Sequence, residues 1–128
     1  MLNRIGLLAA VMLMVVGAAG CGGDSSTNQN PNGLNFGGAC DESATDNTCF
    51  EVYCGAGQSA LCDLAVQKMN QGDCHGTVST TTKCPAADSG TCTLPLMSGY
   101  ESVMYYYAPY DTTNLAAGCA ASGGTFAP

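Results

Sequence analysis

The chain has 128 residues, three basic against ten acidic side chains, nine cysteines and no tryptophan. Its one arginine lies at position 4, so from residue 21 onward two lysines face all ten acids, a net charge of −8. That balance repels phosphate backbones and excludes nucleic-acid binding, and it excludes docking on anionic headgroups by charge.

Residues 1 to 20 have the layout of an export signal. Arg4 and the amino terminus form a positive start, Ile5 to Ala19 is uncharged and mostly apolar, and Ala18, Ala19 and Gly20 are small. The run is short for a membrane span, Gly17 and Gly20 weaken its end, and no stop-transfer cluster follows. An ordinary signal peptidase could cut the Ala-x-Gly before Cys21. Ala18-Ala19-Gly20-Cys21 also resembles the bacterial lipobox, with Ala18 where leucine is usual. That resemblance implies a diacylglyceryl group on the sulfur of Cys21, often with palmitate or another acyl chain on its amine, and cleavage before it. Two or more chains anchor a protein stably where one does not. By the same resemblance, Gly22 rather than Asp after the cysteine favours the outer over the inner membrane of a cell envelope.

Cysteine arithmetic agrees with this. An odd count in an exported chain leaves one thiol over. Assigning Cys21 to lipid leaves Cys40, Cys49, Cys54, Cys62, Cys74, Cys84, Cys92 and Cys119 to form disulfides. The competing assignment is a free or intermolecularly bridged Cys21.

Residues 21–39 read as the lipidated cysteine and a flexible tether, because "GGDSSTNQNPNGLNFGG" is mostly Gly, Ser, Asn and Gln, with one Pro. Residues 40–128 read as one cysteine-rich domain. Within it "NTCFEVYC" at 47–54 is β-prone, and 59–70 has helical spacing with Ser59 as N-cap and Gly72 as stop. "GTVSTTT" at 76–82, "GTCTLPL" at 90–96 and "ESVMYYYA" at 101–108 read as strands. Residues 111–124 read as a short helix capped by Asp111 or Thr112, and "GTFAP" as a closing extended piece. The fold class expected is therefore α+β: a small disulfide-rich domain of short antiparallel strands with two short helices.

The order hints at two β-α-β halves. Asn47-Thr48-Cys49 would correspond to Gly90-Thr91-Cys92, and Gly76-Thr77-Val78 to Gly124-Thr125-Phe126. A repeated plan would make Cys49–Cys74 and Cys92–Cys119 equivalent bridges. The "GTC" motif, the tyrosine-rich strand and the "GGTF" ending resemble small cysteine-rich bacterial lipoproteins. The resemblance covers most of 47–128 and implies no activity.

Catalytic and metal chemistry find little support. The cysteine spacings lack two close ligand pairs, so disulfides are expected rather than zinc. Gln71 stands where a haem-attachment motif ending in Cys74-His75 needs cysteine, and haem is excluded. Asp41, Glu42 and Asp46, with Asn47 and Thr48, could offer oxygens to calcium, but EF-hand spacing is missing and the stretch reads as a solvated acidic loop. No cofactor and no metal are expected. His75 is the sole histidine, so any Ser-His or Cys-His device must use it, and Ser59 lies in an incomplete G-x-S-x-G. No lysine-bearing phosphate loop is present.

Tyr105 and Tyr107 alternate with Tyr106 along one strand and form a possible binding surface for sugar rings or a protein partner. The alternative use of those rings is to pack under helices and shield disulfides. The function expected is thus a non-catalytic, membrane-anchored envelope lipoprotein in a structural or binding role. The alternatives are a module binding cell-wall glycan or an envelope protein through the tyrosine strand, and a small secreted hydrolase or inhibitor dependent on His75.

Overall fold

The computed structural model describes residues 28–128. The expected signal peptide, Cys21 and the first part of the tether lie outside the described residues. No helix among the described residues is long and apolar enough to cross a membrane.

Six strands form one antiparallel sheet: β1 (Asn35–Glu42), β2 (Thr48–Cys54), β3 (Thr77–Ser79), β4 (Gly90–Met97), β5 (Tyr100–Tyr106) and β6 (Thr125–Ala127), in the spatial order β3-β1-β2-β5-β4-β6. Two helices, α1 (Ser59–Lys68) and α2 (Thr112–Ala121), complete the domain, with a π-helical turn at Met69–Asp73 extending α1. The domain is sheet-rich. β1 runs through the stretch expected as tether. Its sequence, "NFGGACDE", looks like linker because of Gly37 and Gly38, and those glycines have a packing reason. A Cβ at Gly37 would lie 2.2 Å from Sγ of Cys62, and one at Gly38 would lie 2.6 Å from Cγ2 of Val66. Only bare backbone lets α1 rest this closely on β1.

The sheet is built from two ββαβ units, β1-β2-α1-β3 and β4-β5-α2-β6, meeting along β2 and β5. Cys40 pairs with Phe50 on one side and Val78 on the other. Cys92 occupies the same position in the second unit, pairing with Met104 and Phe126. Phe50 and Met104 pair with each other, so the relation is a local two-fold through that pair. The expected correspondence of Gly76-Thr77-Val78 with Gly124-Thr125-Phe126 agrees with this register. That of Cys49 with Cys92 does not: the counterpart of Cys92 is Cys40, on the strand hidden in the glycine-rich stretch.

The bridges follow from this. Cys92–Cys119 forms as expected, but Cys49–Cys74 does not; the pairs are Cys40–Cys74, Cys49–Cys84 and Cys54–Cys62. Cys40 and Cys49 are on opposite faces of the sheet, so only Cys40 faces the segment that follows α1. Cys40–Cys74 and Cys92–Cys119 thus staple the first strand of each unit to its helical segment. All eight expected cysteines are consumed.

One face of the sheet carries the helices. Its core holds Cys40, Val52, Cys54, Cys62 and Met69, ringed by Phe50, Leu61, Ala65, Val78 and Tyr100, so two cystines do much of the work of apolar side chains. In the chain-entropy account, each of the bridges closing loops of 34 and 35 residues contributes about 4 kcal/mol, and the 8-residue Cys54–Cys62 loop about 2.5 kcal/mol. Helix starts divide by chemistry. Asp111 caps α2, its Oδ1 accepting from Thr113 N at 2.7 Å, as the sequence suggests. Ser59 does not cap α1: Gln58 holds the cap position without a side-chain bond, and Ser59 is the first helical residue. Gly72, at φ 124°, breaks the helical path as expected.

Candidate functional site

The opposite face carries no helix. Residues of β2, β4, β5 and β6 alternate onto it, and two non-repetitive segments lie along its edges: residues 28–34, and a strap from 80 to 89. Between them is a cleft of about 610 Å³, lined among others by Glu51, Tyr53, Thr93, Glu101, Tyr105 and Thr125.

Glu51 is the organising residue. It is 0 % exposed, on the strand that forms the seam between the two units. Its Oε1 accepts from the backbone N–H of Cys84 at 2.6 Å. Its Oε2 accepts from the Tyr105 hydroxyl at 2.9 Å and also from the Tyr53 hydroxyl. All three partners are donors, the set an ionised carboxylate satisfies. Burying such a group unpartnered costs several kcal/mol, so these contacts make the position tenable. The disulfide Cys49–Cys84 delivers the strap's N–H to it. Glu51 and Tyr105 also occupy equivalent positions of the two units, so the local two-fold turns carboxylate and phenol toward each other.

Glu101, 7 % exposed, plays the matching part at the other edge. Its Oε1 accepts from Nδ2 of Asn30 at 2.6 Å and its Oε2 from Nδ2 of Asn32 at 2.8 Å. Asn30 in turn accepts from the N–H groups of Asn32 and Leu34 at 3.1 and 2.9 Å, which fixes the segment as a turn. Lys83 sets its ammonium 5.6 Å from the Phe36 ring centre and 5.5 Å from that of Tyr53, and those rings meet edge to face. The bulge in β1 between Phe36 and Gly38 brings Phe36 onto this face.

The two tyrosines singled out by the sequence take different positions. Tyr105 lines the cleft and is partly buried, its hydroxyl on Glu51. Tyr107 stands just beyond β5, and its hydroxyl donates to the Pro85 carbonyl at 2.9 Å, tying down the strap. Tyr106 faces the other way and meets Tyr110 edge to face. Burial raises the phenols of Tyr53 and Tyr105 well above their ordinary value, reinforced by the Glu51 hydrogen bond and charge. The Tyr107 phenol is pushed up to about 12 by burial and then by the charges of Asp41, Glu51 and Asp88.

Neither Glu51 nor Glu101 stands out in the sequence. The available signal was a charged residue in phase with Cys49 and Tyr53 along a β-prone run, and a second opening the tyrosine strand. His75 and Ser59 do not line this cleft. His75 is exposed beside Glu42, donating its backbone N–H to Oε1 of that residue at 2.6 Å.

No protein-family model, no curated protein and no solved structure matches the chain.

Replacing Glu51 with alanine strands two phenol hydroxyls and a backbone N–H in the interior. The expected loss is about 3 kcal/mol or more in urea unfolding. Asp63→Ala, on the exposed face of α1, should change stability by less than about 0.5 kcal/mol. Equal effects would show that Glu51 is not the keystone of this face.

The phenol shifts set an alkaline limit. Folded Tyr53, Tyr105 and Tyr107 hold their protons above the ordinary phenol value of 10.0. The unfolded chain then binds fewer protons, so stability falls with rising pH. The contribution is fully present below about pH 10 and is lost as pH rises through about 12 for Tyr107 and beyond for the others. Urea midpoints should therefore hold up to about pH 10 and drop as pH rises from there toward about 12, and Tyr105→Phe should flatten that drop. An unchanged slope in the variant would contradict the assignment.

Proposed function

We propose that the chain is a non-catalytic, lipid-anchored module of a bacterial cell envelope, on an α+β scaffold, that binds a neutral polyhydroxyl ligand, a glycan, in the helix-free cleft. The observation that carries the reading is the composition of that cleft. Thr91, Thr93 and Thr125 present hydroxyl-bearing side chains on the same sheet face as the partly exposed ring of Tyr105, inside walls fixed by buried carboxylates and by the buried ring of Tyr53. Hydroxyls both donate and accept, as sugar hydroxyls require. The Tyr105 ring brings apolar area that matches the face of a pyranose. Glu51 and Glu101 support a binding rather than a catalytic role, because each of their oxygens is already engaged by an internal donor. A general acid or base needs an oxygen free to meet the substrate's proton.

The anchored part of the reading rests on the lipobox-like Ala18-Ala19-Gly20-Cys21 and on the eight remaining cysteines closing four bridges. That pairing supports a separate use for Cys21.

Binding is tested by titrating the full chain with soluble cell-wall fragments and neutral oligosaccharides, followed by calorimetry. Tyr105→Ala should abolish the heat of binding, while Leu64→Ala on the exposed side of α1 should leave it intact. Absence of binding by the wild type across the panel would end the glycan reading.

Anchoring is tested separately, by expressing the chain in a bacterium with lipoprotein processing. The wild type should sediment with membranes and Cys21→Ser should not. A wild type recovered from the soluble fraction, with Cys21 unmodified by mass, would remove the anchor.

A further inference from the structure

Away from the cleft, three side chains from separate parts of the chain converge at the end of β1. Glu42 is the last residue of that strand, Asp46 lies in the turn between β1 and β2, and His75 lies between the π turn and β3. One ligand atom from each, two carboxylate oxygens and an imidazole nitrogen, all fall within 4.8 Å of one another. We propose that Glu42, Asp46 and His75 form a binding site for a divalent cation of borderline character, of which Zn²⁺ is the type.

The imidazole separates this site from a solvated acidic turn. Carboxylates alone suit calcium and magnesium, whereas an imidazole added to two carboxylates suits zinc and its neighbours in the transition series. The nearby sulfurs do not compete as ligands, since Cys40 and Cys74 are bonded to each other. That same bridge carries the imidazole to the acids. It fixes residue 74 to β1 two positions before Glu42, and the His75 N–H donates to Oε1 of Glu42. Gly76 lets the chain pass flush against β1, since a Cβ there would lie 1.8 Å from the Asp41 carbonyl oxygen. Asp46 is held from outside the cluster as well, its carbonyl accepting from the Tyr110 hydroxyl at 3.0 Å.

The dimensions fit an ion. Zinc with ligands at about 2.0–2.2 Å in tetrahedral array sets neighbouring ligand atoms about 3.3 Å apart. The donors, all within 4.8 Å of one another, lie within about 1.5 Å of that spacing, and Asp46 and His75 are exposed side chains. Three protein ligands leave a fourth position for water. The acidic surplus of the chain raises the local concentration of cations, and charge at the site favours capture.

The test uses the full disulfide-bonded chain without a polyhistidine tag, titrated with Zn²⁺ at neutral pH by calorimetry. His75 is the sole histidine, so its ring resonances report on the site directly. The expected result is saturable one-to-one binding at sub-millimolar Zn²⁺ with a shift of those resonances. His75→Ala and Asp46→Asn should each weaken binding by about tenfold or more. Both residues are exposed, and four intact bridges by mass with an unchanged circular dichroism spectrum would confirm folding. The proposal is overturned if the wild type takes up no Zn²⁺ saturably. It is overturned equally if His75→Ala binds as the wild type does, or if Ca²⁺ binds as tightly as Zn²⁺ and ignores the loss of His75.

Discussion

A carboxylate can be withdrawn from water only if the protein supplies, in the right places, the hydrogen bonds that water gave up. Glu51 imposes that condition on this domain. Its position on β2 demands donors from the neighbouring strand, from its own strand and from a segment outside the sheet. Tyr105, Tyr53 and the N–H of Cys84 meet the demand. The rest of the helix-free face follows. The strap must cross at residue 84, the Cys49–Cys84 bridge holds it there, the Tyr107 hydroxyl donates to its Pro85 carbonyl, and nearer its far end Asp88 accepts from the Ala108 N–H. A cleft remains between this strap and the turn that Glu101 holds through Asn30 and Asn32.

The two faces use different currencies of stability. On the helix side, backbone contact is close, and cystines take the place of large aliphatic residues. Gly37, Gly38 and Gly124 permit that approach: a Cβ at Gly124 would lie 2.8 Å from Sγ of Cys119. On the cleft side, polar groups are satisfied in pairs and apolar burial is secondary. A chain this small, without tryptophan, gains from such an arrangement because covalent closure of loops reduces the entropy that its modest core must offset. The same covalent frame sets the periphery, since the bridge that staples β1 to the segment after α1 also brings His75 beside Glu42.

The local two-fold gives the molecule its plan, and its departures from symmetry give it its chemistry. Cys40 and Cys92 are equivalent, as are Val78 and Phe126. Glu51 and Tyr105 are equivalent too, yet they differ, and because they differ they can bond across the seam. Two carboxylates would repel there and two phenols would leave the strap without an acceptor. The first unit adds two further bridges, Cys54–Cys62 and Cys49–Cys84, and the strap that walls one side of the cleft belongs to the link between units.

Much of the local structure was legible in the residues themselves. β-branched and aromatic runs marked β2, β4 and β5, helical spacing marked α1, and Asp111 marked the start of α2, because these signals act over a few neighbours. Parity of the cysteines indicated four closed bridges. The glycine-rich composition concealed β1, since Gly37 and Gly38 serve a helix that packs from elsewhere in the chain, and with β1 hidden the partner of Cys74 was misassigned. Glu51, Glu101 and the meeting of His75 with Glu42 and Asp46 belong to the tertiary structure alone. Each depends on strand register or on a bridge spanning some thirty residues, and a sequence pattern does not say which distant donor will stand opposite a given acid.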